Sequence, residues 1–271
     1  LQSLIEIFSK KIFLIGAISL AFSISSIFYA LSLEKYYKSH ILMVSALESS
    51  TQNSLLGGLL GGNETLVIPK GKVTTEEATA TLTSRRFIEN FIEDNNLLPI
   101  LFSESWDEKE KKWNSGLDST PTFLDGYELM VDSLEISYED SLITLEFFLA
   151  SQDEVAIILN NLVSSVNSYI RNSSINESEK NIAFLQQEIS KTQLSASRDM
   201  LYRIVEQQTQ SIMLANTRED YAFKVIDPGV EPIQPAGPNR KLIVIIASIL
   251  GLILSCIYVF FSHFISISKK D

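Results

Sequence analysis

The chain has 271 residues, 45% of them hydrophobic, and a formal net charge of −11. A balance this acidic argues against nucleic acid as a partner. A single cysteine, Cys256, and two histidines, His40 and His263, offer no internal disulfide and no His/Cys metal cluster. P-loop, nucleophile-elbow and kinase signatures are missing as well, so neither enzymatic activity nor a cofactor is expected.

Residues 12–33 contain no Asp, Glu, Lys or Arg, and neither do residues 242–267. About 20 apolar residues suffice to cross a bilayer as a helix, so both stretches read as transmembrane helices. The first is longer than a signal-peptide core and lacks a clear cleavage site, which makes it an uncleaved anchor. Lys10 and Lys11 precede it, and Lys269 and Lys270 follow the second span. Short basic flanks stay inside, so residues 1–11 and 268–271 are expected in the cytoplasm and residues 34–240 across the membrane. That outer region carries 17 Lys and Arg against 31 Asp and Glu, a net of −14. With flanks this short, no cytosolic catalytic domain is expected. Small residues recur every fourth position in both spans: Ala17, Ala21 and Ser25 in the first, Ala247, Gly251 and Ser255 in the second. Such faces let helices approach closely in lipid, between the two spans or between neighbouring protomers.

Residues 34–151 read as the first part of an α/β base. Tyr36–Leu47 is rich in β-branched and aromatic residues and predicts a strand. The Gly pairs of residues 54–62 lack the Lys-Ser/Thr of a phosphate loop and read as a mobile loop carrying Leu55, Leu56, Leu59 and Leu60. Thr74 and Glu77 are spaced as a capping box, opening a helix to about Asp94. Glu104–Asn114 reads as a short charged helix with Trp106 and Trp113 on one side, available to the core or to a sugar ring. Thr120-Pro121 opens a further short helix. Leu134–Tyr138 and Leu142–Leu149 alternate about a Glu139-Asp140-Ser141 turn as a β-hairpin. The carboxylate pairs Glu76/Glu77 and Glu139/Asp140 are explained by that cap and that turn rather than by glycoside hydrolysis.

Ser151 and Glu154 form a second capping-box pattern, opening the longest helical stretch of the chain. Apolar residues at Val155, Ile158, Leu159, Leu162, Val163 and Val166 give it an inward face, and the pattern resumes at Ile182, Leu185 and Ile189. Residues 152–217 fit a helical hairpin turning near Ser190–Ser197, with a single kinked rod as the alternative. Residues 218–227 return as a base strand. The stretch 228–241 then places Pro228, Pro232, Pro235 and Pro238 three or four residues apart and closes on Arg240. Fixed φ at each proline predicts a stiff, extended strut.

A proline-rich segment closing on arginine, directly before a second membrane span, resembles the signature of the polysaccharide co-polymerases. These include the Wzz-type regulators of O-antigen chain length in lipopolysaccharide. The resemblance is strongest over residues 134–254, taking in Asn160-Asn161-Leu162-Val163, Lys224–Pro228 and the proline segment, with Gly229 where a residue such as alanine is expected. It implies an α+β chain: two transmembrane helices flanking an extracytoplasmic domain, with an α/β base on a mixed sheet and a long projecting helical hairpin. It also implies a bacterial inner-membrane, multi-pass location with a large periplasmic domain. The expected activity is non-enzymatic control of polymer length. Partners would be further copies of the chain in a ring-like homo-oligomer, the polysaccharide polymerase, and the growing lipid-linked polysaccharide. Pro228, Pro232, Pro235, Pro238 and Arg240 would couple the outer domain to the membrane. The alternative is a membrane adaptor for capsule or exopolysaccharide export that activates a separate tyrosine kinase.

Overall fold

A computed structural model describes residues 11–46, 74–114 and 120–268. The expected loop at residues 54–62 lies outside them. The chain divides into two compact units: one holds the terminal stretches through Tyr37 and from Ile233 onward, the other Lys38–Pro232. The boundary falls inside the proline segment.

The larger unit is built on a four-stranded sheet. Its strands are β1 (Tyr37–Ser45), β4 (Leu134–Glu139), β5 (Leu142–Leu149) and β6 (Phe223–Asp227), in the order β4-β5-β1-β6. β4 and β5 form the antiparallel hairpin expected from their alternation, with Leu134 opposite Phe147 and Glu139 opposite Leu142. Asp140 takes the positive φ of 54° that the tight turn requires. β6 pairs antiparallel with β1, with an irregularity in register between Leu42 and Met43. Alternation puts Ile143, Leu145, Phe147 and Leu149 of β5, and Ile41 and Met43 of β1, into the core.

Among the described residues, the base also carries α2 (Thr75–Leu82), α3 (Arg85–Asp94) and α5 (Phe123–Asp132), with α4 (Leu98–Leu101) a single turn between α3 and α5. The helix expected from Thr74 to Asp94 is broken at Thr83-Ser84, where α3 starts with its own cap residue. Thr74 Oγ1 accepts from Glu77 N–H at 3.2 Å, as a cap should. The carboxylate that answers is Glu76: hydrogen bonds from its own backbone N–H and the Thr74 hydroxyl hold it below its ordinary pKa. At α5 the cap is Thr122 rather than Thr120, in a complete capping box with Asp125, and Pro121 stands before it.

The stretch 104–114 forms a tight hairpin, not a helix. β2 (Trp106–Asp107) pairs with β3 (Lys112–Trp113), and the tryptophans lie directly opposite with their rings edge to face at 4.9 Å. Asp107 Oδ1 accepts from the backbone N–H of Lys109 and Glu110, and Lys111 adopts a φ of 48°. This is turn chemistry, and it outcompetes helix formation in so short a segment. A spacing of seven puts two residues on one helix face, but it also allows them to meet across a hairpin.

The longest element is α6 (Gln152–Lys191), at 40 residues. At 1.5 Å per residue it is roughly 60 Å long. Ser151 precedes it without making a side-chain cap bond, so the second capping-box pattern is not realised. Thr192–Leu194 reverse the chain, and α7 (Ser195–Thr217) packs back along α6. The two helices are a hairpin, which excludes the kinked rod. Ile175, Ser178, Ile182, Leu185, Ile189 and Thr192 are buried or half-buried, in the three–four spacing of a coiled-coil seam.

The smaller unit holds α1 (Ile12–Ser32) and α8 (Arg240–Ser268), which pack along each other. Both are long and apolar enough to cross a membrane. The chain is therefore α+β, with a sheet base, a long helical hairpin and two apolar helices near its ends.

Candidate functional site

The proline segment is the part of the chain that sequence reasoning tied to function, and the structure fastens it at defined points. In the larger unit, Asn160 of α6 grips Gly229. Its Oδ1 accepts from Gly229 N–H at 3.1 Å, and its Nδ2 donates to Gly229 O at 2.8 Å. Ser39 Oγ of β1 donates to Val230 O at 3.0 Å, and Gln152 Nε2 donates to Glu231 Oε1 at 3.1 Å. Two turns further along α6, buried Asn167 holds the start of β6. Its Oδ1 accepts from Ala222 and Phe223 N–H at 2.9 and 2.8 Å, and its Nδ2 donates to Phe223 O at 2.8 Å.

In the smaller unit, the second half of the segment is tied to the residues that follow α1. Tyr36 N–H donates to Gly237 O at 3.1 Å, and Ala236 N–H donates to Tyr36 O at 2.9 Å. The Gly237-Pro238 peptide is cis. Arg240, the first residue of α8, donates from Nη2 to Leu33 O at 3.0 Å. A cation on a free carbonyl at a helix C-terminus satisfies an orphan acceptor and complements the helix dipole.

Pro228 and Pro235 are exposed, whereas Pro232 and Pro238 are half-buried. The hydrogen-bonded contacts are made by the residues between and after them: Gly229, Val230, Glu231, Ala236, Gly237 and Arg240. An added Cβ on Gly229 would lie 3.0 Å from Ser39 Oγ and 3.3 Å from Asn160 Nδ2, and one on Gly237 would strike the Tyr36 ring. The segment is thus held mainly through its backbone, most closely at Gly229 and Gly237, with the prolines limiting what the chain can do between these points. The signal for Asn160, Asn167 and Tyr36 was weak: nothing in the pattern of a buried helix face marks which asparagine reaches another element.

The span helices use only part of the expected faces. Gly251 and Ser255 are buried and Ala247 is half-buried, so the second stripe turns inward. A Cβ on Gly251 would lie 2.7 Å from Phe22 Cβ, the mark of close helix approach. The first stripe does not meet it. Ala17, Ala21 and Ser25 are exposed, and α1 instead presents Ser23, Ser26 and Ala30. Ser23 Oγ and Ser248 Oγ are 2.8 Å apart. The cause is geometric: α1 carries two small-residue stripes, and Ser19, Ser23, Ser26 and Ala30, spaced four, three and four, follow the 3.6-residue turn more closely than a strict period of four does.

Residues 186–264 match the family model GNVR, described as "G-rich domain on putative tyrosine kinase". The match covers less than a third of the chain. It takes in α7, β6, the proline segment and most of α8, and its glycines are Gly229, Gly237 and Gly251, the three close-contact positions above. No curated protein matches the chain. Among solved structures, it is similar to a full-length bacterial polysaccharide co-polymerase at 11% identity, covering 98% of each chain with a TM-score of 0.43. A fragment of the co-polymerase WzzB from Salmonella Typhimurium is 13% identical, over 75% of this chain and 100% of that one, at a TM-score of 0.34. A mutant of the Shigella flexneri lipopolysaccharide O-antigen chain-length regulator WzzBSF is 10% identical, over 74% and 100%, at 0.25.

Proposed function

We propose that this chain is a non-enzymatic regulator of polysaccharide chain length in the bacterial inner membrane. It acts as a homo-oligomer beside the polymerase, with residues 34–240 on the periplasmic side and both ends cytoplasmic. One observation carries the reading. The GNVR domain, within a chain that resembles the co-polymerases, spans the segment that leads from the base to the second apolar helix. There the close-contact glycines and Arg240 hold the chain in place. A segment so fixed suits transmission of the base's position to the membrane, where a lipid-linked polymer is extended. Its polymer would be O-antigen.

The test is the gel profile of surface polysaccharide from a strain lacking the gene and from the same strain carrying it. Loss of a modal length on deletion, and its return on complementation, is the expected result. An identical ladder in both strains contradicts the reading.

The description of GNVR names a tyrosine kinase, which favours the adaptor reading over a purely structural envelope role. An adaptor would change tyrosine phosphorylation of a co-purifying kinase when deleted. A length regulator would leave phosphotyrosine unchanged and alter the ladder.

A further inference from the structure

We infer that Asn160 is a positioning residue: a releasable latch that sets where the proline segment leaves the base, distinct in role from Asn167 on the same helix. The two are seven residues apart, two turns of α6, and so point the same way. Each applies one carboxamide to both the N–H and the C=O of a single residue, Phe223 for Asn167 and Gly229 for Asn160. A carboxamide set this way reproduces the donor–acceptor pair of a neighbouring strand. Helix α6 thereby stands in for a missing strand at two points, the start of β6 and the residue after Pro228.

Their surroundings separate them. Asn167 is 4% exposed and makes three backbone bonds, two to Phe223 of β6 and one to Ala222 just before it. Water cannot replace it there, so losing it strands two N–H groups and a carbonyl in the core. Asn160 and Gly229 are both half-buried. Nδ2 of Asn160 also donates to Ala156 O of its own helix at 2.8 Å, a bond that survives if Gly229 departs. The freed groups of Gly229 and Oδ1 of Asn160 can then turn to water. Opening this contact costs little in stability, yet it frees the first residues of the segment from the helix. A Cβ at Gly229 would press on Ser39 Oγ and on the Asn160 amide, so alanine there asks both side chains to shift by a few tenths of an ångström. This inference rests on the length-regulator reading for its biological output, but not for its structural content.

The experiment uses the full-length protein in detergent and in the deletion strain, with Asn160→Ala, Asn160→Asp, Gly229→Ala and Asn167→Ala. Asn160→Ala should unfold within a few degrees of wild type while amide exchange at Gly229 rises by at least about tenfold. The modal polymer length should shift at normal protein level. Asn160→Asp retains the acceptor for Gly229 N–H and should lie between the two. Gly229→Ala should reproduce the length shift with Asn160 intact. Asn167→Ala should instead lower the unfolding temperature sharply. Unchanged exchange at Gly229 in Asn160→Ala overturns the latch. Raised exchange with a wild-type polymer profile overturns its positioning role. A ladder insensitive to deletion of the whole gene overturns the function reading alone, and the exchange measurement then still decides the latch.

Discussion

The two halves of α6 share one continuous helical backbone in opposite surroundings. From Val155 to Ile170 it buries Val155, Ala156, Ile158, Leu159, Leu162, Val163, Val166, Asn167 and Ile170 against the base. From Arg171 to Lys191 only Ser178 is buried, and on the partner helix α7 only Ala215. Large apolar side chains stand in water along the hairpin: Phe184, Leu194, Met200, Tyr202 and Met213. The first half owes its existence to tertiary packing. The second is held by helix propensity, a half-buried seam and pairs such as Lys191–Glu188 at 3.0 Å. Folding stability therefore belongs to the base, while the hairpin is surface for other work.

The sharpest way to break this contrast is to truncate side chains in both halves. Leu162→Ala in the base half should cost about 2–5 kcal/mol of unfolding free energy, through lost transfer energy and a residual cavity. Asn167→Ala should cost less, about 1–3 kcal/mol, through buried backbone groups left without partners. Met213→Ala in the hairpin, where the side chain is 63% exposed, should stay within about 0.5 kcal/mol of wild type. Denaturant unfolding of the three variants checks all of this, and a hairpin variant as damaging as Leu162→Ala would erase the distinction.

A smaller effect lies at the α5 cap. Hydrogen bonds from the Thr122 backbone N–H and then its hydroxyl hold the Asp125 carboxyl below its ordinary value of 3.8. A lowered folded-state pKa stabilises at pH above the unfolded value, and that contribution fades as pH falls through the folded value. Asp125→Asn should therefore flatten the dependence of stability on pH below about 4, and leave it unaltered between about 6 and 8. Urea midpoints measured across that range would show it.

Much of this contrast was legible in the sequence. The apolar run Val155–Val166 marks the base half of α6, and the polar Ser190–Ser197 marks the reversal. Fixed φ and hydrophobic periodicity are local properties, so the spans, the β4–β5 hairpin and the proline segment could be placed without tertiary information. The fastening points could not. Asn160 and Asn167 differ from Asn161 only in which element lies opposite, and Gly229 looks like an ordinary turn glycine until Ser39 is seen beside it. The same limit applies to α1, where the choice between Ala17-Ala21-Ser25 and Ser23-Ser26-Ala30 depends on the phase of the partner helix. Trp106 and Trp113 show that a period of seven does not decide between a helix face and a cross-strand pair when turn residues lie between.

Shortening the hairpin tests the division of labour most directly. Residues Glu179–Gln208 are replaced by a short glycine–asparagine turn that rejoins α6 to α7, and the variant is expressed in the deletion strain. The base should keep a cooperative unfolding transition close to that of wild type, while the surface polysaccharide loses its modal length. An unfolded base, or a polymer ladder identical to wild type from a folded variant, would contradict the account.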